Sequence, residues 1–215
     1  IIAGSMLALA GICLIQAITT TTVAATLFIC ASIPFISAFL AWFLLNEKIS
    51  KRTLITMVIA AFGVCLMMFS GFRSNSFYGT SMALITALSF SGYAIVLRKN
   101  RDIEMLPSIF ISGFVISLFC VSLLGTDIVI PWPDLFRCIL LGSIISLIPN
   151  SLFIYASKYL IAAELTLFML LEFGLGPFWV WLYINETPAY STLIGGFSVI
   201  TAVIIYVWSE IQSKR

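Results

Sequence analysis

The sequence predicts an all-α, polytopic membrane protein built on an inverted helical repeat. Three observations predict it. The chain has 215 residues, of which 61% are hydrophobic and 9% charged, whereas a soluble domain carries about 25% charged residues. The apolar residues gather into eight runs, most of them near the ~20 residues that cross a hydrocarbon core. The chain also matches itself at an offset of 139 residues. That register pairs Ala24 with Ala163, Trp42 with Trp181, Asn46 with Asn185 and Glu47 with Glu186, and it extends from Ile15/Ile154 to Val64/Val203.

Composition narrows the function classes. A net charge of +2 without a basic run gives no nucleic-acid partner. The chain has no histidine, and none of its five cysteines forms a CxxC pair. Neither a metal nor a cofactor is therefore expected, and the cysteines read as small buried hydrophobes.

Span one, Ile1–Ala17, carries Gln16 and begins within an apolar run, so the chain is expected to start inside a longer protein. Span two, Val23–Leu45, has Pro34 in its interior and ends at Asn46-Glu47. Asn tolerates the left-handed turn that closes a helix. Span three is Thr53–Phe69. Span four, Phe77–Leu97, places Gly79, Ala83, Ala87 and Ser91 four residues apart, a stripe that lets a neighbouring backbone approach in lipid. Span five is Pro107–Leu124. Span six, Leu135–Ala156, carries Gly142, Ser146 and Asn150 at the same spacing, with Pro149 beside the last. Span seven, Ala162–Ile184, contains Glu164, Glu172 and Pro177. Span eight is Ser191–Trp208.

If spans alternate sides, nine of the eleven Lys and Arg residues fall on one face: Lys48, Lys51, Arg52, Arg98, Lys99, Arg101, Lys158, Lys214 and Arg215. Arg73 and Arg137 take the other. Excess Lys and Arg mark the cytoplasmic side, so the C-terminus is expected inside. Spans two and seven, the matched pair, are five crossings apart and would run in opposite directions. Such inverted repeats are common in secondary transporters. Residues 1–71 then form a partial first repeat of three helices, and residues 77–210 a complete second repeat of five. Eight of an expected ten transmembrane helices are present.

With these residues in view, the chain resembles the EamA-like branch of the drug/metabolite transporter superfamily. The likeness rests on Pro34 through Asn46-Glu47, Thr53 to Gly63, Leu171-Glu172 through Asn185-Glu186, and Leu193-Ile194-Gly195-Gly196. It implies a ten-helix carrier of small metabolites with both ends cytoplasmic. The chain departs from the pattern at Phe173, where the family often has proline after the glutamate. Phe173 is also the repeat partner of Pro34, and the second half's proline comes a turn later, at Pro177.

The candidate site residues follow from burial cost. An ionised carboxylate at mid-membrane costs at least ~2.5 kcal/mol. Glu172 is therefore either a proton-coupling or substrate-contacting group, or a protonated side chain bonded to a neighbouring helix. Glu164 lies about two turns away and pairs with Lys158 or serves the same pathway. Asn150, Gln16 and Tyr155 are polar groups facing a cavity or a neighbour, and the repeat pairs Gln16 with Tyr155. Pro34, Pro149 and Pro177 are candidate helix breaks, which in carriers point to the binding site.

The expected function is secondary transport of a small organic metabolite or drug-like compound by alternating access, with proton coupling as the expected energy source. The alternative is a non-transporting assembly or sensor subunit with a sealed interior. No catalytic constellation appears within the spans, so no enzyme is expected. The partners are a small-molecule substrate and the lipid bilayer, with a homodimer left open. A bacterial inner (cell) membrane is the expected location.

Overall fold

The computed structural model describes residues 1–46, 77–124, 131–159 and 190–213, together with 54–56, 58–59, 61–63, 65–66, 165, 179 and 181–183. All the regular structure among them is helical. The helices are α1 (Ile2–Thr20), α2 (Val23–Cys30), α3 (Ile33–Leu45), α4 (Phe77–Lys99), α5 (Pro107–Leu124), α6 (Trp132–Leu140), a π-helical turn (Leu141–Leu147), α7 (Ile148–Ser157) and α8 (Tyr190–Ser213). Among the described residues, four stretches are long and apolar enough to cross a membrane: Ile2–Thr20, Val23–Leu45, Phe77–Lys99 and Trp132–Ser157. Leu54–Gly63, Pro107–Leu123 and Leu193–Ala202 are shorter apolar helices. Most of span seven lies outside the described residues.

Span two breaks into α2 and α3 for local reasons. Thr22 caps α2 by accepting the Ala25 N–H at 3.2 Å. The chain turns at Ala31-Ser32, where the Ser32 hydroxyl donates to the Ile29 carbonyl at 2.6 Å. Pro34, fully buried, then sits in the first turn of α3. A proline is tolerated there because the first helical N–H groups have no intrahelical acceptor. Asn46 ends α3 with φ 55° and ψ 29°, in the left-handed region expected of it.

Helix α4 is the central element. Small residues allow its close approaches: Ala83, Ala87 and Ser91 have no solvent exposure. A Cβ on Gly79 would lie 2.6 Å from Thr20 Oγ1 and 2.9 Å from the Thr20 carbonyl carbon, so backbone meets backbone there. In lipid, where water does not drive helices together, such close packing supplies the attraction. Hydrogen bonds add to it. The Ser91 hydroxyl donates to the Ile33 carbonyl at 3.1 Å, and the Thr86 hydroxyl lies 3.4 Å from the Ala10 carbonyl.

These contacts fix the directions of the helices. Thr20 meets Gly79, the start of α4, while Ala3 packs with Tyr93 and Leu97 near its end, so α1 and α4 are antiparallel. Ala41 and Leu45 pack with Ile95, so α3 runs parallel to α4. Ile154, near the end of α7, joins Ala3, Tyr93 and Leu97 in one buried cluster. The end of span six therefore lies beside the start of α1, and the two spans run antiparallel. On the opposite flank, Gly196 of α8 packs against the Phe28 ring of α2.

Candidate functional site

A cavity of about 260 Å³ opens between α1, the α2–α3 break, α4, α5 and span six. Helix α1 contributes Leu7, Ala10, Gly11 and Leu14; the break contributes Cys30 and Ile33. Thr86 and Phe90 face it from α4, Ile109, Ser112 and Ile116 from α5, and Ser146 and Asn150 from span six. Its walls are mostly apolar with a few hydroxyls and one carboxamide, the usual make-up of a small-molecule site.

Span six owes its contribution to Pro149. Proline has no N–H to give Ile145, and its ring crowds that carbonyl. The chain responds with the π turn Leu141–Leu147, and α7 resumes with Pro149 in its first turn. π turns of this kind are frequent at functional sites. Ser146, in the turn, and Asn150, one residue past the proline, both reach the cavity. The Asn150 Nδ2 group donates to the Ser146 carbonyl at 2.8 Å.

One end of the cavity is closed by packing. Leu7, Phe90 and Ile109 line it and also lie against the cluster of Ala3, Tyr93, Leu97 and Ile154. Phe153 stands 5.2 Å from Phe90 in an edge-on contact and 6.0 Å from Tyr93 in a stacked one. The Tyr93 and Ser108 hydroxyls are buried there, and neither has a hydrogen bond of normal geometry among the described residues.

The sequence-selected residues fare differently. Asn150 lines the cavity, and Pro149 shapes the segment that carries it. Pro34 lies four residues past Cys30 and next to Ile33, which both line it. Neither Gln16 nor Tyr155 lines this cavity. The Gln16 Oε1 atom accepts from the Tyr78 hydroxyl at 2.5 Å, above the cavity at the far end of α1. Tyr155 is 60% exposed, and its hydroxyl takes a 3.3 Å hydrogen bond from Tyr159. The repeat register equates the two positions, but span six carries a π turn that the uninterrupted α1 lacks. Glu164, Glu172 and Pro177 lie outside the described residues. Glu164, the partner for Lys158 that the short connection suggested, is among these; Lys158 pairs with Glu104 at 2.6 Å. That bond holds the Lys158 pKa above its ordinary value.

The sequence reading missed Thr86, Phe90 and Ser112. Lone hydroxyls in apolar helices are common and often bond their own backbone, so neither stood out. The one signal was position: Thr86 adjoins the small-residue stripe of α4, and Ser112 follows Ser108 by one turn of α5. Gly142, expected in a packing stripe, has no neighbour within 4 Å of an added Cβ among the described residues.

No protein-family model matches the chain, and no curated protein matches it. Among solved structures it is similar to one described only as "Crystal structure of protein", at 14% identity and a TM-score of 0.65. The alignment covers 100% of this chain and 77% of that one. At that identity the likeness is one of fold.

Proposed function

We propose that the chain is a secondary carrier that moves a small organic molecule across a membrane by alternating access. In this reading it is built as an inverted repeat of the EamA-like kind, with its C-terminus cytoplasmic in a bacterial inner membrane, and it acts as a carrier rather than an enzyme. The observation that carries the reading is the cavity. It is lined by α1, α2 and α3 from the first proposed half and by α4, α5, the π turn and α7 from the second. A sealed assembly or sensor subunit has no use for a partly polar space at that position. The antiparallel course of α1 and span six, which the 139-residue register equates, supports the inversion. So does the close crossing of spans three and eight, where a Cβ on Gly63 would lie 2.6 Å from the Gly195 carbonyl.

Glu172 is proposed as the proton-coupling group, because an intramembrane carboxylate is functional by default. The test is uptake of candidate metabolites by the full chain in proteoliposomes, with and without a pH gradient. Gradient-driven uptake that Glu172→Gln abolishes is the expected result. Uptake that ignores both the gradient and the substitution removes proton coupling. Membranes that stay impermeable to every compound bound by the cavity remove the carrier reading.

A further inference from the structure

We propose that this cavity selects its ligand by hydrogen-bond donors, and that the class it takes is a compact primary ammonium compound. The proposal deepens the carrier reading and rests on it for the step of transport. Its basis is where the polar protons of the wall already go. The Thr86 hydroxyl donates to the Met82 carbonyl at 3.0 Å. The Ser112 hydroxyl donates to the Ile109 carbonyl at 2.9 Å. Both oxygens therefore present lone pairs to the cavity that they line. The 2.8 Å bond from Asn150 Nδ2 to the Ser146 carbonyl sets the orientation of the carboxamide and leaves Oδ1 as an acceptor with no donor among the described residues. The Ser146 hydroxyl rotates to serve as donor or acceptor.

The wall is thus biased toward acceptors. An ammonium group brings three donors and no acceptor, so it satisfies such a wall and leaves none of its own groups unmatched. Phe90 adds a ring whose face attracts cations. A carboxylate is the reverse case. It needs donors or a cation, and no Lys or Arg lines the cavity among the described residues. Burying either charge in an apolar site is costly, and no Asp or Glu among the described residues lines the cavity either. The ammonium offsets that cost with the acceptors and the Phe90 ring, whereas the carboxylate meets few donors. Size limits the ligand further: about 260 Å³ lies just below the roughly 300–1,000 Å³ of drug-sized sites.

The experiment is equilibrium binding to the full chain in nanodiscs at pH 7, read by calorimetry, with three probes of similar shape: phenethylamine, 2-phenylethanol and hydrocinnamate. Phenethylamine is expected to bind most tightly and hydrocinnamate least, with at least about a tenfold gap, as expected for charge-assisted hydrogen bonds. Thr86→Val and Ser112→Ala each weaken phenethylamine about three- to tenfold. Ser112→Ala removes only a bond within its own helix, so it reports on the ligand even if Thr86→Val disturbs packing. Hydrocinnamate binding as tightly as the amine overturns the proposal, as does no binding of any probe, or amine binding unchanged in both variants. Parallel uptake separates the two readings. Phenethylamine bound but never transported removes the carrier and leaves the selectivity. Hydrocinnamate bound and transported does the opposite.

Discussion

Lys158 Nζ lies 2.6 Å from Glu104 Oε1 and joins the connection after span four to the end of span six. Two segments 54 residues apart in sequence therefore share one face of the molecule. The charge distribution assigns that same face to Arg98, Lys99, Arg101 and Lys158. A short cross-linker between Glu104→Cys and Lys158→Cys is expected to close in intact membranes, and both cysteines should be labelled from the side that labels Arg98→Cys. Labelling from opposite sides would disprove the arrangement.

The same pair gives a pH prediction. The bond to Glu104 raises the Lys158 pKa above its ordinary 10.5. A raised folded-state pKa contributes stability that is fully present below the unfolded value and is lost as pH rises through the folded one. The melting-temperature deficit of Lys158→Met should therefore be constant from pH 7 to pH 9 and shrink only in strong alkali. The Glu104 side chain is 71% exposed, so the deficit is small and falls with salt. A deficit that disappears near neutral pH would place the effect on another group.

Backbone contact at α4 makes a sharper test. A Cβ on Gly79 meets Thr20 Oγ1 at 2.6 Å, Thr21 Cβ at 2.8 Å and the Thr20 carbonyl carbon at 2.9 Å. The last of these cannot rotate away, so the helices must part. Gly79→Ala is expected to cost about 1–3 kcal/mol, the range for overpacking. Gly113, on α5, has nothing within 4 Å of an added Cβ among the described residues. Gly113→Ala should instead be neutral or gain up to ~1 kcal/mol from helix propensity. Thermal or denaturant unfolding in detergent compares the two, and similar outcomes would contradict the packing described.

Much of this fold was legible because its elements are bounded by simple physics. The apolar run Val23–Leu45 ends where Asn46 takes the left-handed turn, and span five starts at Pro107 as read. The small stripe on α4 announced its close neighbours. Partners were less legible. Nothing local to Gln16 points to Tyr78, and nothing near Lys158 points to Glu104. Those choices are made by which helix ends the bundle brings together. The cavity hydroxyls were hidden for another reason: Thr86 and Ser112 bond their own helices, so in sequence they look like ordinary helical polar residues. Span seven, which carries Glu164, Glu172 and Pro177, is the part of the candidate pathway outside the described residues.

The buried end of the cavity separates two roles of one side chain. Tyr93 is fully buried, packs on Phe90 and Phe153, and its hydroxyl makes no hydrogen bond of normal geometry among the described residues, with the Ser108 hydroxyl as its near neighbour. Removing a buried polar atom that has no partner costs nothing and often helps. Tyr93→Phe should therefore be neutral or stabilising by up to ~1 kcal/mol, whereas Tyr93→Ala should lose about 3–5 kcal/mol with the ring. A loss of more than ~1 kcal/mol in Tyr93→Phe would mean that the hydroxyl has a partner, with Ser108 the first to test.

Pro149 connects backbone to site. Its missing N–H and crowded ring account for the π turn at Leu141–Leu147, and that turn sets the angle at which Ser146 and Asn150 enter the cavity. Replacing it with alanine restores the donor to Ile145 and lets span six wind as one α-helix. One extra residue in a turn corresponds to a rotation of about 100° for everything on one side of it, so Asn150 would swing off the wall. Pro149→Ala is thus expected to keep or raise the melting temperature while weakening ligand binding by at least about tenfold, the cost of losing one charge-assisted partner. Hydrogen exchange should show the amide at residue 149, absent in the parent, protected by its new bond. Unchanged binding in a protein whose residue-149 amide is protected would show that the π turn plays no part in the site.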